Sequence, residues 1–282
     1  MLAILLALGT AVGYGTANYL APVLGRRMPL ATVLLGSQLA GLAVSALLSV
    51  GADLAMDAPG LTFALIAGTC NSAALACFYR AGQTGDLSVL SPIAASGAIV
   101  PVLVGLATGD RPSPVQLIGL PIVMIGIVLV ARRPRAAPHP TTTGATGSRG
   151  VGWAILAALL FGTFLYTYAE AAADSSAGAL LWSRVALVAC TGVGTLVLGA
   201  AVRVRPRDAS LTLVPGLLLS LATYAFGEAT RIGLLSVVSV IATLNPVVTV
   251  ILAFALLHER PARVQQIGAA IALVGIGLLA AG

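Results

Sequence analysis

The sequence predicts an all-α, polytopic membrane protein of about ten transmembrane helices, arranged as two inverted five-helix repeats. Three observations carry this prediction: an apolar composition, ten apolar runs, and a second half that repeats part of the first. Hydrophobic residues make up 59% of the chain, charged residues only 9%, and the mean hydropathy is +1.03. Soluble domains carry roughly 25% charged residues, so this chain lacks the charge that a water-exposed surface needs.

The ten runs are separated by Gly, Pro, Arg or Asp, and each is long enough to cross a hydrocarbon core of about 30 Å. Backbone amides in lipid have no water to bond, so each run is expected to form a helix. The predicted helices cover residues 2–22, 29–50, 60–80, 87–108, 114–131, 151–170, 176–201, 211–231, 235–257 and 262–281.

The chain divides near its middle. A segment rich in Pro, Thr, Gly and Arg separates the fifth and sixth runs and has the composition of a flexible linker. The predicted domains are a first repeat at 1–132, a linker at 133–150 and a second repeat at 151–282.

The two parts are related in sequence. DRPSPVQLIGLPIVMIGIVLV (110–130) aligns without gaps with ERPARVQQIGAAIALVGIGLL (259–279), and 10 of the 21 positions are identical. Weaker matches pair residues 15–19 with 162–166 and Ser37-Gln38 with Ser183-Arg184. Because each repeat has an odd number of helices, the second is expected to enter the membrane from the opposite side, which makes the repeats inverted.

The arginines predict the orientation. All 15 basic residues are Arg, and most follow an odd-numbered helix. The positive-inside rule then places the linker in the cytoplasm and both termini outside, in a multi-pass protein of the inner (plasma) membrane. Arginines at membrane edges do not form a nucleic-acid surface, so no nucleic-acid partner is expected. The arginines after odd-numbered helices are Arg26, Arg27, Arg80, Arg132, Arg133, Arg135, Arg149, Arg203, Arg205, Arg207, Arg260 and Arg263.

Two five-helix halves, a repeated [DE]-R-P before the final helix of each, and TLNPVVTVILAFALLHERP (243–261) together resemble the drug/metabolite transporter superfamily, EamA type. The most specific part is the helix with Asn245 and Pro246 that ends in His258-Glu259-Arg260-Pro261. The first repeat departs from it, with Ser96-Gly97 in place of Asn-Pro and Asp110 in place of Glu. The resemblance implies a basket-shaped ten-helix carrier, often an exporter of amino acids, metabolites or toxic compounds.

Ionisable groups at membrane depth are costly and usually face a partner or a wet cavity. Arg184, Glu228 and Arg231 are expected at similar depths in the outer half of the membrane. We expect this cluster to border a substrate cavity, with Arg184 attracting a carboxylate and Glu228 binding an amine or a proton. A structural ion pair between helices is the alternative.

Further polar and aromatic residues are candidates for substrate contacts, although each alone is more often an interfacial anchor or an interhelical hydrogen bond. They are Asn18, Tyr19, Gln38, Asn71, Tyr166, Trp182 and Tyr224. Pro101 and Pro246 are expected mid-helix in the fourth helix of each repeat, where the missing amide donor makes them candidate hinges. Gly119, Gly126, Gly268 and Gly275 are expected to let neighbouring helices approach closely.

The pattern predicts a secondary transporter, an efflux carrier that opens one cavity to each side in turn. A GxxxxGK[ST] loop is absent, which excludes direct ATP-driven pumping. No cofactor, metal or catalytic residue is expected, so the chain is not expected to be an enzyme. A non-transporting scaffold, a lipid-handling protein and an intramembrane enzyme are the alternatives. Coupling to protons, and a monomeric or homodimeric state, stay open.

Overall fold

The computed structural model describes residues 1–25, 28, 30–84, 92–132, 148–197, 206–257 and 261–282, and within these ranges the regular structure is helical. A short 3-10 helix, Ser96–Ala98, directly precedes α4. The α-helices are α1 (Leu2–Gly25), α2 (Leu30–Leu48), α3 (Ala58–Thr84), α4 (Ile99–Thr108), α5 (Pro114–Ala131), α6 (Ser148–Asp174), α7 (Ser176–Val197), α8 (Pro206–Ile232), α9 (Leu235–Ala242), α10 (Asn245–Leu257) and α11 (Arg263–Ala281).

The fold class predicted from the sequence is confirmed. Within the described ranges, 8 helical segments are long and apolar enough to cross a membrane, with α9 and α10 together forming one of them. Two shorter apolar helices, Thr32–Leu48 and Pro92–Thr108, match the second and fourth predicted runs. Residues 133–147 of the predicted linker lie outside the described residues, and its last three residues are instead the beginning of α6.

The helices expose large apolar side chains and bury small ones, which is the pattern of a bundle surrounded by lipid. Leu196 is 83% exposed and Leu273 63% exposed, whereas Ala64, Ala67 and many other alanines are fully buried. Because lipid is as apolar as leucine, close contact between small residues holds such helices together. The buried alanines are therefore residues of the helix interfaces.

The final helices of the two halves, α5 and α11, pack against each other through the predicted glycines. A Cβ added to Gly126 would lie 2.6 Å from the Ala272 amide nitrogen, and one added to Gly275 would lie 2.8 Å from that of Val123. The two backbones are therefore in direct contact, as predicted for an architectural role.

Two glutamines join the ends of these same helices. Gln116 accepts a hydrogen bond from the Ser113 amide (3.1 Å) at the start of α5 and donates one to the Leu279 carbonyl (3.3 Å) at the end of α11. Gln265 accepts from the Ala262 amide (3.1 Å) and donates to the Val130 carbonyl (3.3 Å). Each glutamine thus satisfies an amide at the start of one helix and a carbonyl at the end of the other.

The other packed pairs also occur in matched sets. Helix α3 packs on α6 and α7, and α8 packs on α1 and α2. Helix α1 contacts α9 and α10, while α6 contacts α4 and its 3-10 helix. If each helix is replaced by the one in the same position of the other half, this set of contacts maps onto itself.

One end of the bundle, here called the terminal face, brings together both ends of the chain and the loops before α3, α5, α7 and α9. Gly233 lies against Ala3, and Gly282 lies against Ser113. The Asp110 carboxylate accepts a hydrogen bond from the Ser236 amide (2.8 Å) at the start of α9. Contacts between side chains and backbone therefore hold the loops of this face together.

The fourth helix of each half is interrupted, but Pro101 and Pro246 lie near the start of a helix rather than mid-helix as predicted. In the second half the helix breaks at Thr243 and Leu244, and Pro246 is the second residue of α10. In the first half the 3-10 helix interrupts the segment, and Pro101 is the third residue of α4. A proline has no amide hydrogen to donate to the previous turn, so these prolines lie just after a break.

Candidate functional site

Arg184, the most deeply buried cation among the described side chains, lies inside α7 and is 4% exposed. Its Nη1 donates a hydrogen bond to Gln38 Oε1 on α2 (2.7 Å), and its Nη2 donates one to Thr223 Oγ1 on α8 (3.0 Å). Arg184 is the ninth residue of α7, so it lies about 12 Å from the terminal face. The guanidinium is therefore held within the bundle, where three helices meet.

Thr223 extends this network to Tyr14 on α1. The Thr223 hydroxyl donates to the Leu219 carbonyl one turn earlier (2.7 Å). Because a hydroxyl has one hydrogen and two lone pairs, Thr223 must accept from both Arg184 and Tyr14. The Tyr14 hydroxyl, 2.9 Å away, is therefore a donor to Thr223. The network joins α2, α7, α8 and α1, and every bond from Arg184 or Tyr14 in it goes to a neutral acceptor.

Tyr168, on α6, lies beside this network with a free hydroxyl. Its side chain is fully buried, and its hydroxyl has no hydrogen-bond partner among the described residues. The ring packs between Phe164 (centroids 5.9 Å apart) and Phe226 (6.2 Å apart). Phe226 lies one helical turn beyond Thr223 on α8, which places Tyr168 next to the network. The hydroxyls of Ser176, Ser236 and Ser239 also lack a partner among the described residues, and a buried hydroxyl of this kind requires an explanation, such as a bound ion or ligand.

Glu228 and Arg231 form an ion pair on α8, with 3.5 Å between Oε1 and Nη1 and side chains 32% and 43% exposed. This is the local pairing that the spacing of three residues allows. Within the described ranges, no carboxylate forms an ion pair with Arg184. The structure therefore separates the expected three-residue cluster into a buried cation and a more exposed pair.

Replacing Glu228 by glutamine is expected to change stability little, by about 0.2–0.5 kcal/mol, because partly exposed pairs at this spacing contribute only that much. Thermal unfolding of the purified protein checks this. A loss of several kcal/mol would show that Glu228 has a buried partner. Thr230→Ala, a neighbouring change on α8 that leaves the pair intact, is the control.

The other candidate residues are spread through the bundle. Gln38 belongs to the Arg184 network, and Tyr224 is half-buried and directly follows Thr223 on α8. The Tyr166 ring packs edge-on against Phe63, with centroids 6.3 Å apart. Among the described hydrogen bonds, none joins the remaining four to the network: Tyr19 is buried, Asn71 half-buried, and Asn18 and Trp182 exposed.

A glycine of each first helix packs against the interrupted fourth helix of the other half. A Cβ added to Gly15 would lie 2.8 Å from the Asn245 carbonyl oxygen, and one added to Gly162 would overlap the Gly97 carbonyl oxygen. The Thr249 hydroxyl, one turn beyond the break, shares its single hydrogen between the Gly15 carbonyl (3.0 Å) and the Asn245 carbonyl (2.9 Å). A side chain at Gly15 or Gly162 would overlap the backbone of the interrupted helix, so only glycine fits at either position.

Sequence reasoning missed Tyr14, Thr223 and Tyr168. Tyr14 and Thr223 are 209 residues apart, and no spacing rule connects them. Gly15 and Gly162 did have a signal, because both begin the repeated Gly-Thr-x-x-Tyr. In the described part of the chain, no group of three His, Cys, Asp or Glu side chains could hold a metal ion.

Comparisons with known proteins agree with this architecture. Residues 148–281 match the EamA-like transporter family. A solved crystal structure superposes with a TM-score of 0.80 at 15% sequence identity, covering 98% of this chain and 95% of the other, which shows the fold alone. No curated protein matches the sequence significantly.

Proposed function

Because residues 148–281 belong to the EamA-like transporter family, we propose that this chain is a secondary transporter that exports a small solute by alternating access. The observation that carries the proposal is the pair of interrupted fourth helices, each packed on a first-helix glycine of the other half. Interrupted helices in corresponding positions are typical of the binding region of secondary transporters. Rocking of the two halves at these contacts would open a central cavity to each side in turn.

The matched contacts support an inverted repeat as the basis for such rocking. The Gln116 and Gln265 bonds are equivalent under exchange of the halves, as are the helix pairs around them. Gln38 and Arg184, which occupy corresponding positions in the repeats, bond directly to each other. Equivalent residues touch only near an axis that relates the halves, so this pair supports a pseudo-two-fold axis near the site.

The proposal includes an orientation, with the terminal face outside and the 133–150 linker in the cytoplasm. The arginine distribution supports it, since 12 arginines follow odd-numbered predicted helices and only Arg111 and Arg231 follow even-numbered ones, and arginine-poor loops are translocated. Accessibility labelling should place residues 22–29 and 201–210 on the same side of the membrane. Labelling from opposite sides would overturn the inverted arrangement.

Transport itself is testable before the substrate is identified. Solutes that raise the melting temperature of the purified protein are selected first, because a ligand that binds the native state stabilises it. Labelled solute is then offered to proteoliposomes preloaded with the unlabelled form, and accumulation above that in protein-free vesicles is expected. Binding without exchange would contradict transport and favour the scaffold or lipid-handling alternative. Repeating the assay across a proton gradient tests proton coupling, with Glu228 as the proposed carrier.

Replacing Pro246 by alanine is expected to slow exchange, because alanine supplies the missing amide donor and favours a continuous helix from α9 into α10. The expected drop in the exchange rate is about tenfold, with less loss of binding. Pro121→Ala, at an exposed proline inside the uninterrupted α5, is the matched control. Unchanged rate and substrate range in Pro246→Ala would remove the hinge from the proposal.

A further inference from the structure

The charge of Arg184 is not balanced by any described acidic group. Its two recorded partners, Gln38 Oε1 and Thr223 Oγ1, are neutral oxygens, and Glu228 is paired with Arg231 instead. Removing a cation from water is expensive unless an anion or a wet cavity compensates it. An arginine in this position therefore needs a counter-ion that the described chain does not supply.

The surroundings of Arg184 offer donors rather than acceptors. An arginine has five N–H donors, of which two bond to Gln38 and Thr223 here, and the Gln38 side chain itself carries an NH2 donor group. The Tyr168 hydroxyl has no partner among the described residues. Unused donors around one uncompensated positive charge match the chemistry of an anion, which accepts hydrogen bonds and supplies the missing charge.

The side chains next to these donors are apolar and aromatic. The Tyr168 ring packs between the buried rings of Phe164 and Phe226, and Phe226 lies one turn from Thr223 on α8. Such an environment suits the hydrocarbon part of an organic ligand better than a hydrated inorganic ion. The combination fits a carboxylate attached to an apolar or aromatic group.

On the basis of the proposed transport function, we propose that Arg184, Gln38 and Tyr168 bind the carboxylate of a small organic acid. Arg184 supplies the charge, and the Tyr168 hydroxyl and the Gln38 amide donate further hydrogen bonds. The carboxylate takes the place of the absent counter-ion, so a bound ligand would neutralise the buried guanidinium.

A matched set of probes tests the charge requirement. Acetate, benzoate and 3-phenylpropionate are compared with acetamide, benzamide and 3-phenylpropanamide, which have similar shapes but no charge. At least one acid is expected to stabilise the purified protein at concentrations at which its amide does not, with apparent affinities at least tenfold apart. Equal responses to acids and amides, or no response to any acid, would overturn the proposal.

Two variants locate the site. Arg184→Gln is expected to reduce acid binding at least tenfold, and Arg132→Gln, which removes an exposed arginine at the end of α5, is expected to leave it unchanged. Tyr168→Phe separates binding from folding, since removing a buried hydroxyl without a partner should preserve or raise the melting temperature of the ligand-free protein. The same variant is expected to weaken acid binding about threefold to tenfold. Undiminished acid binding in folded Tyr168→Phe and Arg184→Gln would place the site elsewhere.

The outcomes distinguish this inference from the transport proposal. Exchange of neutral solutes that Arg184→Gln leaves intact would keep the transporter and remove the acid site. Acid binding that depends on Arg184 and Tyr168, without exchange in proteoliposomes, would keep the site and remove the transport function.

Discussion

Replacing Gly162 by valine is expected to destabilise the protein by about 3 kcal/mol, since even the first added carbon overlaps the Gly97 carbonyl oxygen. The obstacle is backbone, which cannot rotate away as the end of a side chain can. The expected fall in melting temperature is about 5–10 °C. Thermal unfolding in detergent, followed by intrinsic fluorescence, measures it.

Gly152→Val is the matched control for this change. Gly152 lies on the same helix, α6, and a Cβ there would meet nothing within 4 Å. Both substitutions change helix propensity equally, so the difference between them isolates the packing against the 3-10 helix. Equal melting temperatures for the two variants would show that α6 and the interrupted helix are not in contact.

Gly15 and Gly9 give the same comparison in the other half. A Cβ on Gly15 would meet Val248 Cβ at 2.5 Å, whereas one on Gly9 would meet nothing within 4 Å. Gly15→Val is therefore expected to resemble Gly162→Val, and Gly9→Val to resemble Gly152→Val. Agreement between the two pairs would add energetic support to the proposed repeat.

Exchanging Gln38 and Arg184 is expected to restore much of the transport that Arg184→Gln removes. The single change would remove the proposed charge-assisted hydrogen bond to the solute, and such a bond contributes about 1.5–3 kcal/mol, which corresponds to about a 10-fold to 100-fold loss. In the double variant, Gln38→Arg with Arg184→Gln, the two side chains of this hydrogen bond change places. The guanidinium is then carried by α2 instead of α7. Recovery is expected to be incomplete, because Thr223 accepts its hydrogen bond from a guanidinium carried by α7.

A double-mutant cycle measures this effect. Exchange rates in proteoliposomes for wild type, the two single variants and the double variant give the coupling between the positions. Unfolding temperatures of the same four proteins show whether loss of transport is loss of fold. Arg184→Gln is expected to keep or raise stability, since it removes a buried charge without an anionic partner. A double variant no better than Arg184→Gln would mean that the two side chains are not interchangeable across an axis.

The sequence revealed the repeat most clearly in the final helix of each half, where the two helices pack against each other. The spacing that aligned Gly126 with Gly275 also predicted their shared packing role, because helix contacts follow a periodic pattern along the chain. The same alignment paired Gln116 with Gln265 but predicted no role for them. Asn18 and Trp182 show the limit of that reasoning. A polar or aromatic residue in an apolar run looks the same in sequence whether it faces lipid, a cavity or another helix, and both are exposed in the structure.

Composition and run length by themselves determined that this protein is a bundle of apolar helices, because a bilayer permits few other structures for such a chain. The duplicated acidic-Arg-Pro segment predicted the two halves. Only the tertiary structure decided which polar groups meet, since the network of Gln38, Arg184, Thr223 and Tyr14 joins residues up to 209 positions apart. It also separated Arg184 from Glu228, because local geometry on α8 gives Glu228 a partner three residues away while the guanidinium turns inward.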